Sequence, residues 1–251
     1  MIENYLRPED LYHKSQLNRL LIEIVDKPIL ANSLAFKGGT CAAMLGYLDR
    51  FSVDLDFDQL TGTDTSLIRQ AFEEIFVRLG FELLVAFDTA LIFQLRYPNE
   101  PGKRNKLKVF ANSLIVRADQ YKVHFFPEID RLVNCQTIET MFANKLVALS
   151  DRFKLHGSIA ARDLYDVHHF FIKGYSYNSD VIIERTGYSP KDYFISLQVF
   201  IREHITQRMV NEDLNSLLPN QKFQSLRKLL IPETLSLLKG EVSRLSNSGK
   251  N

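Results

Sequence analysis

Apolar and polar residues alternate without a break from Phe51 to Asp58. Phe51, Val53, Leu55 and Phe57 share one face, and Ser52, Asp54, Asp56 and Asp58 share the other. That period predicts a half-buried strand. Ahead of it, Ser33–Phe36 reads as a short strand and Gly38-Gly39 as a sharp turn, with Thr40 as N-cap of a helix from Cys41 to Leu48. An amphipathic helix striped by Leu11, Leu17, Leu20, Leu21 and Ile24 is predicted from Pro8 to Val25, and Pro28 ends it before the first strand. Downstream, Leu67–Leu79 predicts a second amphipathic helix closed by Gly80. Strands follow over Phe81–Phe87, Leu91–Tyr97, Leu107–Ala111 and Tyr121–Phe126. The texture changes around Pro127 to Cys135. From Thr137 onward strand signals cease, and helices are predicted near 138–154, 161–173, 178–186, 190–208 and 222–239, with Ser246–Asn251 as a frayed tail.

This pattern divides the chain into an α/β domain at residues 1–135 and a helical domain at 136–251. The predicted class is α+β, a mixed β-sheet with flanking helices followed by an all-helical half. Composition agrees, since 251 residues with 45% hydrophobic and 24% charged side chains describe a globular protein with ample core. A net charge of +1 excludes a strongly basic nucleic-acid binder as a whole-molecule property, though not a local basic surface. Between residues 102 and 122 stand six Lys/Arg against one Asp, concentrated in Lys103, Arg104, Lys106 and Lys108. That stretch fits either an exposed loop and strand edge or a contact surface for triphosphate or RNA backbone. Cys41 and Cys135 support no disulfide framework and no zinc spacing. Cys41 suits a packed small residue better than a nucleophile. The N-terminus lacks the apolar core of a signal peptide, and no apolar run approaches the ~20 residues that cross a membrane. The expected compartment is cytoplasmic.

The polar face of the Phe51–Asp58 strand carries the chemistry. Carboxylates two apart on a strand lie about 6–7 Å from each other and repel. A divalent metal relieves that repulsion, and Mg²⁺ held by hard oxygens is completed by a substrate phosphate. The plain alternative is a solvated strand face. The Gly-Gly turn ahead of a helix presents free N–H groups and a positive dipole end, which suits a triphosphate. It is not a Walker P-loop, because the terminal Gly-Lys-Ser/Thr is missing. In the helical half, Lys145 and Arg152 are seven apart and share a helix face, and Asp163 and Asp166 are three apart and share another. Alone, these four also fit a solvated face with capping acids. His168 and His169 point about 100° apart on a helix, one toward the core and one toward the surface.

Taken together and in order, these residues resemble the AbiEii/MenT branch of the nucleotidyltransferases. That branch is marked by a Gly-Gly-Thr turn and an Arg-x-Ser-x-Asp-x-Asp strand, here Gly38, Gly39, Thr40, Arg50, Ser52, Asp54 and Asp56. The runs FANKLVALSDR, ending at Arg152, and ARDLYD, holding Arg162 to Asp166, resemble its helical Lys and Arg-Asp-x-x-Asp elements. The resemblance implies Mg²⁺-dependent transfer of a nucleoside monophosphate from an NTP to an RNA acceptor, foremost tRNA. It implies the toxin of a toxin–antitoxin or phage-defence system, with a cognate antitoxin protein as partner. By the same resemblance Asp54 and Asp56 bind metal and act in catalysis, and Lys37, Gly38, Gly39, Thr40, Arg50 and Ser52 bind the nucleotide. Lys145 contacts the triphosphate, Asp163 assists catalysis or activates the acceptor, and Arg152, Arg162 and Asp166 complete the nucleotide site in the helical domain. One departure stands out. A third carboxylate is expected on the strand around Leu107–Asn112, where Phe110 stands instead, leaving Glu128 or Asp130 as substitutes. Two alternatives share these features: a small-molecule nucleotidyltransferase of the antibiotic-inactivating kind, which calls for an acidic pocket, and a non-catalytic NTP-binding or protein-interaction module.

Overall fold

A computed structural model describes residues 8–248, apart from 61, 63, 88, 89 and 115. The chain forms two compact units, Met1–Ile115 with Gln120–Thr137, and Val116–Asp119 with Ile138–Asn251. The seam follows Thr137 rather than Cys135, because a strand not anticipated from the sequence runs up to Gln136.

The first unit begins with α1 (Pro8–Val25), α2 (Pro28–Ser33), β1 (Leu34–Lys37), α3 (Gly38–Met44), β2 (Leu55–Gln59) and α4 (Thr65–Leu79). It continues with β3 (Glu82–Phe87), β4 (Ala90–Arg96), β5 (Lys106–Asn112), β6 (Tyr121–Phe126) and β7 (Arg131–Gln136). The seven strands form one mixed sheet in the order β3-β4-β5-β2-β1-β7-β6. β2 lies at its centre, antiparallel to β1 and parallel to β5, and β1 is parallel to β7. One face of the sheet is apolar. Phe36, Phe57, Phe93 and Phe126 project from it, and Phe72 and Phe76 of α4 pack on Phe57 and Phe93 with ring centroids 5.2–6.5 Å apart. Strand alternation therefore sends Asp56 and Asp58 of β2, and Lys108 and Phe110 of β5, to the opposite face.

Four local expectations need correction here. The Phe51–Asp58 alternation predicts one strand, but only Leu55–Gln59 pairs as one, and the two faces hold over that stretch. Residues 51–54 are a loop whose carbonyls are taken by side chains. Pro28 ends α1 but also opens the short helix α2, as a proline at the first helical position does. Helix α3 begins at Gly38 with Lys37 as its cap residue, so Thr40 lies inside the first turn and is not the N-cap. The fourth is β7, which pairs antiparallel with β6 across a turn where Asp130 adopts φ 53°.

The second unit is helical: α5 (Ile138–His156), α6 (Ala161–Ile172), α7 (Ser179–Thr186), α8 (Pro190–His204), α9 (Gln207–Leu214), α10 (Asn220–Leu226) and α11 (Leu230–Ser248). The helix expected over 190–208 is two, because the Thr206 side chain accepts the Met209 N–H and starts a new one. The pattern at 222–239 likewise divides. Helix α11 carries on to Ser248, so the first residues of the expected frayed tail are helical and the rest lie outside the described residues. Phe142, Phe170 and Phe194 are fully buried in this unit's core. The segment Val116–Asp119 is stitched into it by Glu184, whose carboxylate accepts the Arg117 and Ala118 N–H groups at 2.8 Å.

Candidate active site

Three short pieces of the first unit meet around Asp54 and Asp56: the Gly38-Gly39-Thr40 start of α3, the loop Arg50–Asp54, and strand β5. The glycines are required by close approach. Gly38 sits at φ 79°, and a Cβ there would lie 2.5 Å from Asp56 Oδ2. A Cβ on Gly39 would lie 2.7 Å from Arg50 Nη2 and 2.9 Å from Ser52 Oγ. The turn thus serves as a wall against which the Asp56 carboxylate and the Arg50–Ser52 side chains close. Gly38→Ala is expected to destabilise the protein by about 1–2 kcal/mol through its left-handed backbone alone. It also displaces Asp56, so a thermal melt and a divalent-cation titration should both report the change, the second more strongly.

The loop ahead of β2 is held carbonyl by carbonyl. Arg50, only 3% exposed, donates to the Phe51 carbonyl at 3.0 Å. Thr40 donates its hydroxyl to the Asp54 carbonyl, and that leaves Ser52 Oγ, 2.9 Å away, to donate to Thr40 Oγ1. The Lys108 N–H donates to Asp54 Oδ1 at 3.2 Å, which aims that carboxylate along β5. Thr40, backed by Ser52, therefore holds the Asp54 backbone, and Arg50 braces the loop at Phe51 from a buried position.

Other members of the polar face have different employment. Asp58 is buried and ion-paired with Lys37, and its second oxygen accepts from Gln136 at 2.6 Å and Tyr121 at 3.2 Å. It is a structural carboxylate, and it engages the ammonium of Lys37. The position opposite Asp56 on β5 is Phe110, as the register shows, with the Lys108 ammonium 5.5 Å from its ring centre. Neither proposed substitute fills that place. Glu128 lies in the β6–β7 turn, bonded to Lys14 of α1 at 2.9 Å, and Asp130 is exposed in the same turn. Cys41 is fully buried, and burial together with the neighbouring Cys135 pushes its thiol up, so it is packing rather than a nucleophile.

The second unit brings its own predicted residues together. Lys145 of α5 bridges two carboxylates of α6, at 2.6 Å to Asp163 and 3.0 Å to Asp166. Arg152 adds a contact of 3.4 Å to Asp163. Both aspartates are almost wholly buried, at 1% and 0% exposure, so the cluster is no solvated face. Burial opposes ionisation of Asp163, but Lys145, Arg152 and Arg162 outweigh it and hold the carboxyl below its ordinary value. Arg162 is half-buried next to it. The histidine expectation is corrected: both are buried, His168 against Glu233 at 2.8 Å and His169 stacked on Tyr165.

His13 escaped sequence reasoning, and Lys108 reads there only as part of the basic stretch. His13 of α1 and Lys108 of β5 both bond to the Val53–Asp54 stretch. The one available signal was the position of Lys108, two residues before Phe110 on the strand where a third carboxylate was sought.

Comparison with known proteins shows the fold and the family. Two Helicobacter pylori crystal structures share the fold. JHP933 has a TM-score of 0.57 at 21% identity, covering 98% of each chain. A structure described as a candidate nucleotidyltransferase has a TM-score of 0.59 at 20% identity, covering 96% of this chain and 98% of its own. None of the curated proteins matches the chain. The family model described as the nucleotidyl transferase AbiEii toxin of the type IV toxin–antitoxin system matches residues 19–236. A match across most of the chain, with the Gly-Gly-Thr turn and the Asp54–Asp56 pair inside it, places this protein in the AbiEii family of nucleotidyltransferase toxins.

Proposed function

We propose that the protein transfers a nucleoside monophosphate from an NTP to tRNA in a Mg²⁺-dependent reaction, as the cytoplasmic toxin of a toxin–antitoxin pair that serves phage defence. The observation that carries this is the Asp54–Asp56 pair, with Asp54 clamped by Thr40 and the Lys108 N–H and Asp56 closed against the Gly38 turn. Family membership implies an NTP substrate, a divalent metal and an antitoxin partner. Among the described residues no helix is long and apolar enough to cross a membrane.

The donor set fits Mg²⁺. Asp54 and Asp56 offer hard carboxylate oxygens, and the NTP phosphates would complete the ion's shell. When bound, the ion supplies charge neutralisation on the phosphates and fixes them for in-line attack. Gly38 and Gly39 leave room for the Asp56 carboxylate and for Arg50 and Ser52, while Thr40 and Ser52 keep Asp54 in place. In the helical unit, Lys145 with Asp163 and Asp166 forms a second charged cluster, and the family resemblance assigns its ammonium to the triphosphate.

The choice of RNA as acceptor is supported by a basic row on the acidic pair's face of the sheet. Arg96 of β4 stands opposite Lys106 of β5, and Lys108 lies one step further toward Asp56, with exposed Lys103 in the preceding loop. Reversing the charge of Lys103 and Lys106 together is expected to weaken tRNA binding and to flatten its dependence on log salt, by about one unit of slope for each phosphate no longer neutralised. The test of the function is transfer of label from each α-³²P-NTP to tRNA, read on a denaturing gel with intact and 3′-truncated tRNA. Label on intact tRNA alone supports the proposal. Label that appears only on an added small molecule, with every RNA blank, contradicts its acceptor.

A further inference from the structure

The loop that presents Asp54 is supported from below by a residue in no nucleotidyltransferase motif. His13, on the buried side of α1, is 0% exposed. Its Nε2 lies 2.9 Å from the Val53 carbonyl and its Nδ1 2.6 Å from the Tyr97 hydroxyl. A carbonyl can only accept, so Nε2 carries the proton and Nδ1 receives the Tyr97 O–H. The imidazole is neutral, since burial lowers its pKa to about 4, and burial raises Tyr97 to about 12, which keeps its hydroxyl protonated. The Arg104 carbonyl, which also accepts from Asn99 at 2.6 Å, lies 2.8 Å from the Tyr97 hydroxyl, so Tyr97 shares its one proton between that carbonyl and His13. Phe51 closes the ring's edge at 5.9 Å.

We infer that His13 is a positioning residue for the Asp54 carboxylate, acting through the Val53 carbonyl with Tyr97 fixing its tautomer. The Val53 carbonyl and the Asp54 N–H belong to one peptide plane. Thr40 and Lys108 hold Asp54 beyond that plane, and His13 holds the plane itself. Without it, the segment between the Arg50 and Thr40 contacts can rotate, and Asp54 moves relative to Asp56. This inference rests on the reading of Asp54 and Asp56 as the metal–nucleotide pair.

The test compares His13→Leu with His13→Gln, whose amide can still donate to Val53, and with Tyr97→Phe. Hydrogen exchange of the Asp54 amide reports the clamp without reference to any reaction. It is expected to accelerate about tenfold or more in His13→Leu, less in Tyr97→Phe, and to stay near wild type in His13→Gln. Mn²⁺ affinity in the presence of a non-hydrolysable NTP should fall in the same order. Turnover in His13→Leu should drop about 10- to 100-fold, with KM for NTP rising in step with the loss of Mn²⁺–NTP affinity. Tyr97→Phe retains the imidazole, so it remains informative if His13→Leu does not fold. Unchanged Asp54 exchange in His13→Leu and Tyr97→Phe, or a glutamine variant no better than leucine, overturns the inference alone. A wild-type protein without Mn²⁺–NTP affinity overturns the reading of the acidic pair beneath it.

Discussion

Asp56→Asn is expected to reduce nucleotidyl transfer about 10³-fold or more while leaving the melting temperature nearly unchanged. The magnitude follows from the several kcal/mol that a metal contributes to phosphoryl charge stabilisation, at about 1.36 kcal/mol per factor of ten. Stability is spared because asparagine keeps the shape that packs against Gly38 and removes the repulsion between neighbouring carboxylates. Asp54→Asn should behave alike, since its Oδ1 can still accept the Lys108 N–H. Asp58→Asn is the contrasting control. It lies two residues on and faces the same way, yet its loss removes the charge partner of Lys37 in a buried setting. The effect there should be on the melt first and on turnover second. Initial rates and calorimetry on the three variants separate the two roles.

Lys145→Ala carries the largest expected stability effect. Removing one partner of a buried ion pair costs about 3–5 kcal/mol, because the remaining charge stays buried without compensation. Two carboxylates are left in this case, Asp163 and Asp166, with the more exposed Arg152 touching only the first. The pH dependence has a definite sign. The folded-state carboxyl of Asp163 titrates below its ordinary value of 3.8, so its stabilising contribution is present above that value and is lost as pH falls through the lower folded one. In Lys145→Ala that depression is weakened while burial remains. The gap in stability between wild type and variant should therefore be widest near neutrality and shrink as the medium is acidified below about pH 4. Urea melts at several pH values would check it. A gap that stays constant across that range contradicts the ion-pair account.

Much of this was legible in the chain because periodicity and close packing leave marks. The alternation from Phe51 to Asp58 placed Leu55 and Phe57 on the buried face of β2 and Asp56 and Asp58 on the other, while hydrogen-bonded pairing begins only at Leu55. Alternation reports which side a residue faces, and it says nothing of whether a neighbouring strand is present. Gly38-Gly39 was legible as a turn, but the reason for each glycine is a side chain from a later segment, Asp56 for one and Arg50 with Ser52 for the other. Strand β7 was missed because its two large apolar residues, Leu132 and Val133, are adjacent and so point to opposite faces, with Leu132 68% exposed. His13 sits between Tyr12 and Lys14 and reads as part of a polar helix face. Its partners are 40 and 84 residues away, a separation no local pattern encodes. Asp58 shows the same limit from the other side: alternation made it a third member of the acidic face, and only the sheet brings Gln136 and Tyr121 to neutralise that role.

The central claim is that Asp54 and Asp56 together hold a metal only as part of a metal–nucleotide complex. Electron paramagnetic resonance of Mn²⁺, titrated into wild-type protein with and without a non-hydrolysable NTP, tests it most directly. The account predicts weak binding of Mn²⁺ alone and clear tightening with NTP, as expected for two carboxylates completed by substrate phosphates. It predicts that tightening to vanish in both Asp54→Asn and Asp56→Asn and to survive in Asp58→Asn. NTP-dependent Mn²⁺ binding that persists in both of the first two variants would place the metal elsewhere and contradict the account.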